Sequence, residues 1–189
     1  AETVPAQALQ NSKRYYWRVR VWDDAGNEGP WSASIPVDQF HINGPPSTGD
    51  MRVQGLADPV LLNTTTPTFS WTFLDPDVAE GDGQTAWHIQ VASGPDFSGA
   101  LLWDSGKQAT EGNLTSVSYG HGADTHTVPA QPLVRGVTYH WRLRVWDLAD
   151  ASGPWSGENV TGSTFRAVVL PLGVNRLTNG LVDPQRLTT

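Results

Sequence analysis

The sequence predicts an all-β chain of tandem β-sandwiches, one complete and two partial. Three observations lead there. Segments rich in Val, Thr, Trp, Tyr and Phe are separated by clusters of Gly, Pro, Asp and Asn, and no long stretch has an apolar period of 3.6. Thr3-Val4-Pro5-Ala6-Gln7 recurs as Thr127-Val128-Pro129-Ala130-Gln131, and the match runs without a gap to Ser32 and Ser156, with 18 identities in 30 positions at a shift of 124. A shorter match at a shift of 125 pairs Gly55-Leu56-Ala57-Asp58-Pro59 with Gly180-Leu181-Val182-Asp183-Pro184. Two shifts that agree within one residue define a tandem repeat. Residues 1–43 are then the C-terminal half of one repeat, 44–168 a whole repeat, and 169–189 a linker with the first strand of a following one. A pattern broken at both ends is expected of a window on a longer array.

Within the whole repeat, strands are expected at Pro59–Leu62, Pro67–Phe73, Ala86–Ala92, Leu101–Ser105, either Ser116–Tyr119 or Thr125–Pro129, Thr138–Asp147 and Thr161–Val168. In the strongest, alternation places Tyr139, Trp141, Leu143 and Val145 on one face, the expected core, and His140, Arg142, Arg144 and Trp146 on the other. About seven short strands in a unit of this size fit two antiparallel sheets packed face to face, and such a length buries a core without staples. Asn43-Gly44-Pro45-Pro46-Ser47 reads as a proline-stiffened linker between units.

These residues carry a family resemblance. Leu133-Val-Arg-Gly-Val-Thr-Tyr139 resembles the tyrosine corner of fibronectin type III domains, as does Leu9 to Tyr15 with Ser12 in place of the glycine. Thr66-Pro67-Thr68-Phe69-Ser70-Trp71 is similar to their second strand, whose tryptophan sits in the core. With Gln84 to Val91, Leu102 to Lys107 and the Trp-Arg-x-Arg-Val-Trp-Asp strand, the pattern resembles a variant found in bacterial, archaeal and phage surface or secreted proteins and beside glycosidases such as α-L-rhamnosidases. The resemblance implies tandem immunoglobulin-like sandwiches and is nearly silent about function, because one fold hosts unrelated tasks.

Composition narrows the field. A formal charge of −7 with only two lysines, Lys13 and Lys107, lacks the clustered cations that phosphate-backbone binding requires, so nucleic acid is not an expected partner. No cysteine means no disulfide scaffold, no thiolate metal site and no thiol nucleophile. The longest apolar run, Ala167 to Val174, is interrupted by Pro171 and Gly173, and membrane insertion is not expected.

Candidate chemistry is sparse. Arg142, Arg144, Trp146 and Trp155, repeated as Arg18, Arg20, Trp22 and Trp31, form either a structural arginine–tryptophan ladder or an aromatic platform for glycans. Recurrence favours the ladder, since a fold requirement must recur and a binding site need not. The acidic loop supplies Asp75, Asp77 and Asp82 as possible calcium ligands without EF-hand spacing, and Asx turns with surface solubility explain it as well. Asn63, Asn113 and Asn159 head N-x-Thr sequons. No catalytic motif is visible and no cofactor is required. The expected function is a non-enzymatic structural segment of a long extracellular or surface-exposed protein, such as a filament, adhesin stalk or virion appendage, with neighbouring repeats, like subunits or glycans as partners. The alternative is an accessory, carbohydrate-contacting module of a secreted glycoside hydrolase.

Overall fold

The computed structural model describes residues 7–32, 38–110, 114–156 and 163–168. Among these described residues ten strands form in chain order: β1 (Lys13–Tyr16), β2 (Gln39–Ile42), β3 (Ser47–Val53), β4 (Thr68–Leu74), β5 (Ala86–Ala92), β6 (Leu101–Asp104), β7 (Gln108–Ala109), β8 (Ser116–Ser118), β9 (Thr138–Trp146) and β10 (Thr164–Arg166). Two single 3₁₀ turns, Val78–Glu80 and Ala123–Thr125, are the only helical segments among the described residues.

From β3 onward the strands make an immunoglobulin-like sandwich. One sheet has the order β3-β4-β8 and the other β10-β9-β5-β6, with β7 also on β5; these pairings are antiparallel. Alternation decides what lies between the sheets. Tyr139, Trp141, Leu143 and Val145 of β9 are buried with Trp87, Ile89 and Val91 of β5, and they meet Phe69 and Trp71 of β4. The Phe69 ring packs on Trp141 at 4.7 Å and on Phe165 at 5.6 Å, so the core is largely aromatic. The Trp71 indole N–H reaches Gln84 Oε1 at 2.9 Å, which satisfies the one polar atom that this side chain brings inside. The corner tyrosine behaves as its sequence context implies: the Val134 N–H donates to Tyr139 Oη at 2.7 Å, and the Gln10 N–H donates to Tyr15 Oη at 2.7 Å in the other copy.

The first strand departs from expectation. It is Ser47–Val53, in and beyond the stretch read as linker, because Met51 and Val53 are buried although Gly49 and Asp50 interrupt the alternation. A bulge falls there, with Asp50 at φ 43°. Pro59–Leu62 instead crosses to the second sheet, where Leu62 bridges Ala167 in parallel. Of the two candidates for the next short strand, Ser116–Ser118 pairs with β4, while Val128 bridges Asp104 at the end of β6.

The N-terminal copy forms a hairpin, β1 with β2, in register Lys13 with Ile42 and Tyr16 with Gln39. The segment that makes nine strand residues in β9 corresponds to residues 14–22, of which only Arg14–Tyr16 lie in β1. The reason is tertiary: β9 lies between β5 and β10, while β1 has a neighbour on one side only among the described residues.

Candidate functional site

The outward face of β9 carries the arginine–tryptophan group. The Arg142 and Arg144 guanidinium carbons lie 4.5 and 4.4 Å from the Trp155 ring centre, and Arg144 also lies 5.1 Å from Trp146. Phe97 at 4.4 Å from Arg142 and Lys107 at 4.9 Å from Trp146 extend the column at both ends. Such contacts stabilise by about 0.5–2 kcal/mol each as water is excluded. Ser156 fixes the segment: its N–H donates to Leu143 O at 2.7 Å and its Oγ accepts from the Leu143 N–H at 2.9 Å. In the other copy, Arg18 and Arg20 each sit 4.3 Å from Trp31, and Ser32 repeats both bonds to Val19. The ladder therefore forms on the final hairpin without the strand that β5 supplies in the whole repeat.

Beneath Trp155 lies a polar network that sequence reasoning missed. His88 of β5 meets Trp155 edge-on at 4.8 Å, and its Nε2 is 2.5 Å from Asp104 Oδ1. Asp104 also accepts from Gln90 at 2.7 Å and from the Gly106 N–H at 2.9 Å, and Gln90 in turn accepts from Arg142 Nε at 2.8 Å. Burial pushes the Asp104 carboxyl up, but the Gly106 N–H, Gln90 and His88 together hold it below the ordinary carboxylate range. Burial lowers the pKa of His88, and the neighbouring arginines add to that against the pull of Asp104. Only the β5–β6 pairing, with Gln90 opposite Asp104, brings these residues together, and no spacing along the chain announces it.

The second cluster lies where the N-terminal hairpin meets the sandwich. Of the three acids expected together, Asp77 points away: its Oδ2 accepts from the Gly44 N–H at 2.6 Å and its Oδ1 lies 2.9 Å from His41 Nε2. The carboxylates that do converge are Asp75, Asp82 and Asp147, with one oxygen from each within 4.8 Å of the others. That is the set able to hold a hard cation. Asp147 is fully buried and accepts from the Ala151 N–H and from Asn43 Nδ2, both at 2.8 Å. Burial raises Asp75, and Asp82, Asp77 and Asp147 raise it further against the Asp77 N–H. A repeat comparison offers a signal for Asp147, since it matches Asp23. There the amide comes from within the turn, Asn27 Nδ2 to Asp23 Oδ2 at 2.8 Å, while position 151 is Ala and the amide arrives from Asn43.

Trp146 is buried, Trp155 is half-buried, and Trp22 and Trp31 are exposed. Asn63 is exposed beside Leu62; Asn113 and Asn159 lie outside the described residues.

The family model for the N-terminal immunoglobulin domain of Rha78A-like proteins matches residues 2–38 and 48–163. The chain belongs to that family. An α-L-rhamnosidase of Formosa agariphila is 30% identical over 105 residues, 53% of this chain and 10% of that protein. Among solved structures, an α-L-rhamnosidase from Dictyoglumus thermophilum is similar in fold, with a TM-score of 0.51 at 22% identity over 65% of this chain and 12% of its own. A Streptomyces avermitilis α-L-rhamnosidase complexed with L-rhamnose gives a TM-score of 0.50 at 25% identity over 65% of this chain and 10% of its own. The chain spans about a tenth of the length of these relatives.

Proposed function

We propose that this chain is a non-catalytic sandwich module of an extracellular α-L-rhamnosidase-like glycoside hydrolase, where it spaces or orients a catalytic domain. The match of the family model to most of the chain carries this reading. The chemistry of the outward face supports it. Asp104 and His88 are engaged with each other beneath Trp155, and the guanidinium groups that would greet a ligand are stacked on indoles. Such a face braces a sheet and leaves little to act on a substrate. No helix of the described residues is long and apolar enough to cross a membrane.

The test has two arms. The purified chain is offered an aryl α-L-rhamnoside, and the reading frame on either side of its coding sequence is determined. Absence of turnover together with a neighbouring catalytic domain supports the module. Turnover lost in Asp104→Asn, or a frame holding only further repeats, overturns it; the latter outcome restores the rod, which the tandem repeat and the hydrogen-bonded junction at Asn43 and Gly44 also favour. Affinity electrophoresis in soluble polysaccharides addresses glycan contact: retardation abolished by Trp155→Ala in a folded protein would make the ladder a binding face.

A further inference from the structure

The whole repeat provides a template for what the N-terminal copy lacks. Trp141, Leu143 and Val145 are at most 1% exposed, while their counterparts Trp17, Val19 and Val21 are 51%, 50% and 68% exposed. Leu133, buried under the tyrosine corner, corresponds to Leu9, which is exposed. The backbone repeats the same asymmetry. Trp17 N–H donates to Asp38 O, while Val19 O and Val21 O accept from the Ser32 and Gly29 N–H groups, as Trp141, Leu143 and Val145 bond to Ser163, Ser156 and Gly153. On its other edge β9 pairs with β5 from His140 to Trp146, whereas no described strand lies along Tyr16–Trp22. An apolar face and a backbone edge with no described strand along it thus occur together, the combination that recruits a strand.

We propose that Tyr16–Trp22 is a docking edge for a half-sandwich of this same repeat type, one that carries strands like β4 and β5. The template sets its register. Ala86 pairs with Trp146 and Ala92 with His140, so the incoming β5-like strand places its first alanine position opposite Trp22 and its last opposite Tyr16. Its odd apolar positions, filled by Trp87, Ile89 and Val91 in the template, then lie beside Val21, Val19 and Trp17 on one face, and the β4-like strand of the facing sheet covers them, as Phe69 covers Trp141. A second intact copy of this chain is not the occupant, because its β5 is held between β9 on one side and β6 and β7 on the other.

The test adds a copy of residues 44–124 directly ahead of Ala1, a join that keeps the repeat in register because Ala1 corresponds to Thr125. Amide hydrogen exchange and acrylamide quenching are read on the original and the extended chain. Docking slows exchange at Arg18, Arg20 and Trp22 by roughly 100-fold or more and shields the Trp17 indole, and Val21→Glu abolishes both changes. Unchanged exchange at these amides, with β9 protected as before, overturns the proposal. Should the added segment disturb β9, a peptide of residues 84–93 titrated against the original chain reads the same edge, and failure to protect Arg18 and Arg20 at saturating peptide overturns it too. Sedimentation of the original chain completes the set: a stable dimer with Trp17 already shielded assigns the face to a second copy instead.

Discussion

The fold disfavours the charge of Asp75. Its carboxylate is partly desolvated, and one oxygen is buried without a hydrogen-bond partner, facing the field of Asp82, Asp77 and Asp147. A raised folded-state pKa means that the folded protein binds the proton more tightly than the unfolded chain. Stability is therefore depressed at neutral pH and recovers as pH falls through the folded value toward the unfolded one, near 3.8. Asp75→Asn keeps the Asp77 N–H acceptor and removes the charge. Its urea midpoint should exceed that of the native chain at pH 7, with the difference vanishing below about pH 4; a lower midpoint at pH 7 refutes the repulsion. A cation held by Asp75, Asp82 and Asp147 reverses the sign, so adding calcium should raise the native midpoint and not that of the variant.

At the scale of the element, β9 shows what a sequence can and cannot announce. Its alternation assigned every side chain to the correct face, because period two survives any packing partner. The tyrosine corner and the core Trp71 were legible for the same reason, as local patterns with local consequences. The start of the sandwich was not. A bulge at Asp50 and the glycine before it erase alternation in β3, and Pro59–Leu62 imitated a first strand because it is extended, lying in parallel beside β10 and Ala167 on the other sheet. The His88–Asp104 network, and the place of Asp147 beside the expected Asp75 and Asp82, are not legible along the chain because only tertiary folding brings those residues together. The ladder on β9 carries its own prediction. Trp155→Ala removes two guanidinium contacts and uncovers His88, which should lower stability by about 2–4 kcal/mol while leaving the β10-β9-β5-β6 pairing intact. Thermal unfolding with far-ultraviolet dichroism reads both parts; a loss below 1 kcal/mol would mean that the column contributes little.

For the whole molecule, the contacts between hairpin and sandwich matter most. Asn43 donates to buried Asp147, the Gly44 N–H and His41 engage buried Asp77, and Arg14 pairs with Glu80 at the rim. The rim pair is exposed and contributes little, whereas removing a partner from a fully buried carboxylate costs more. Asn43→Ala should therefore destabilise the sandwich by about 1–3 kcal/mol although it lies outside it, and should speed proteolysis between residues 40 and 47. Equal stability and equal cleavage would mean that the two units are merely strung together.

The parallel bridge of Leu62 with Ala167 has a mechanical meaning. Leu62 N–H donates to Arg166 O, Arg166 N–H to Pro59 O and Val168 N–H to Leu62 O. Tension drawn through the polypeptide pulls the Pro59–Leu62 segment back along its length and β10 forward along its own. Segments that run the same way then slide against each other, and all three bonds are strained at once instead of unzipping in turn. Tension applied across the sandwich is thereby resisted at the point where the pull reaches its second sheet.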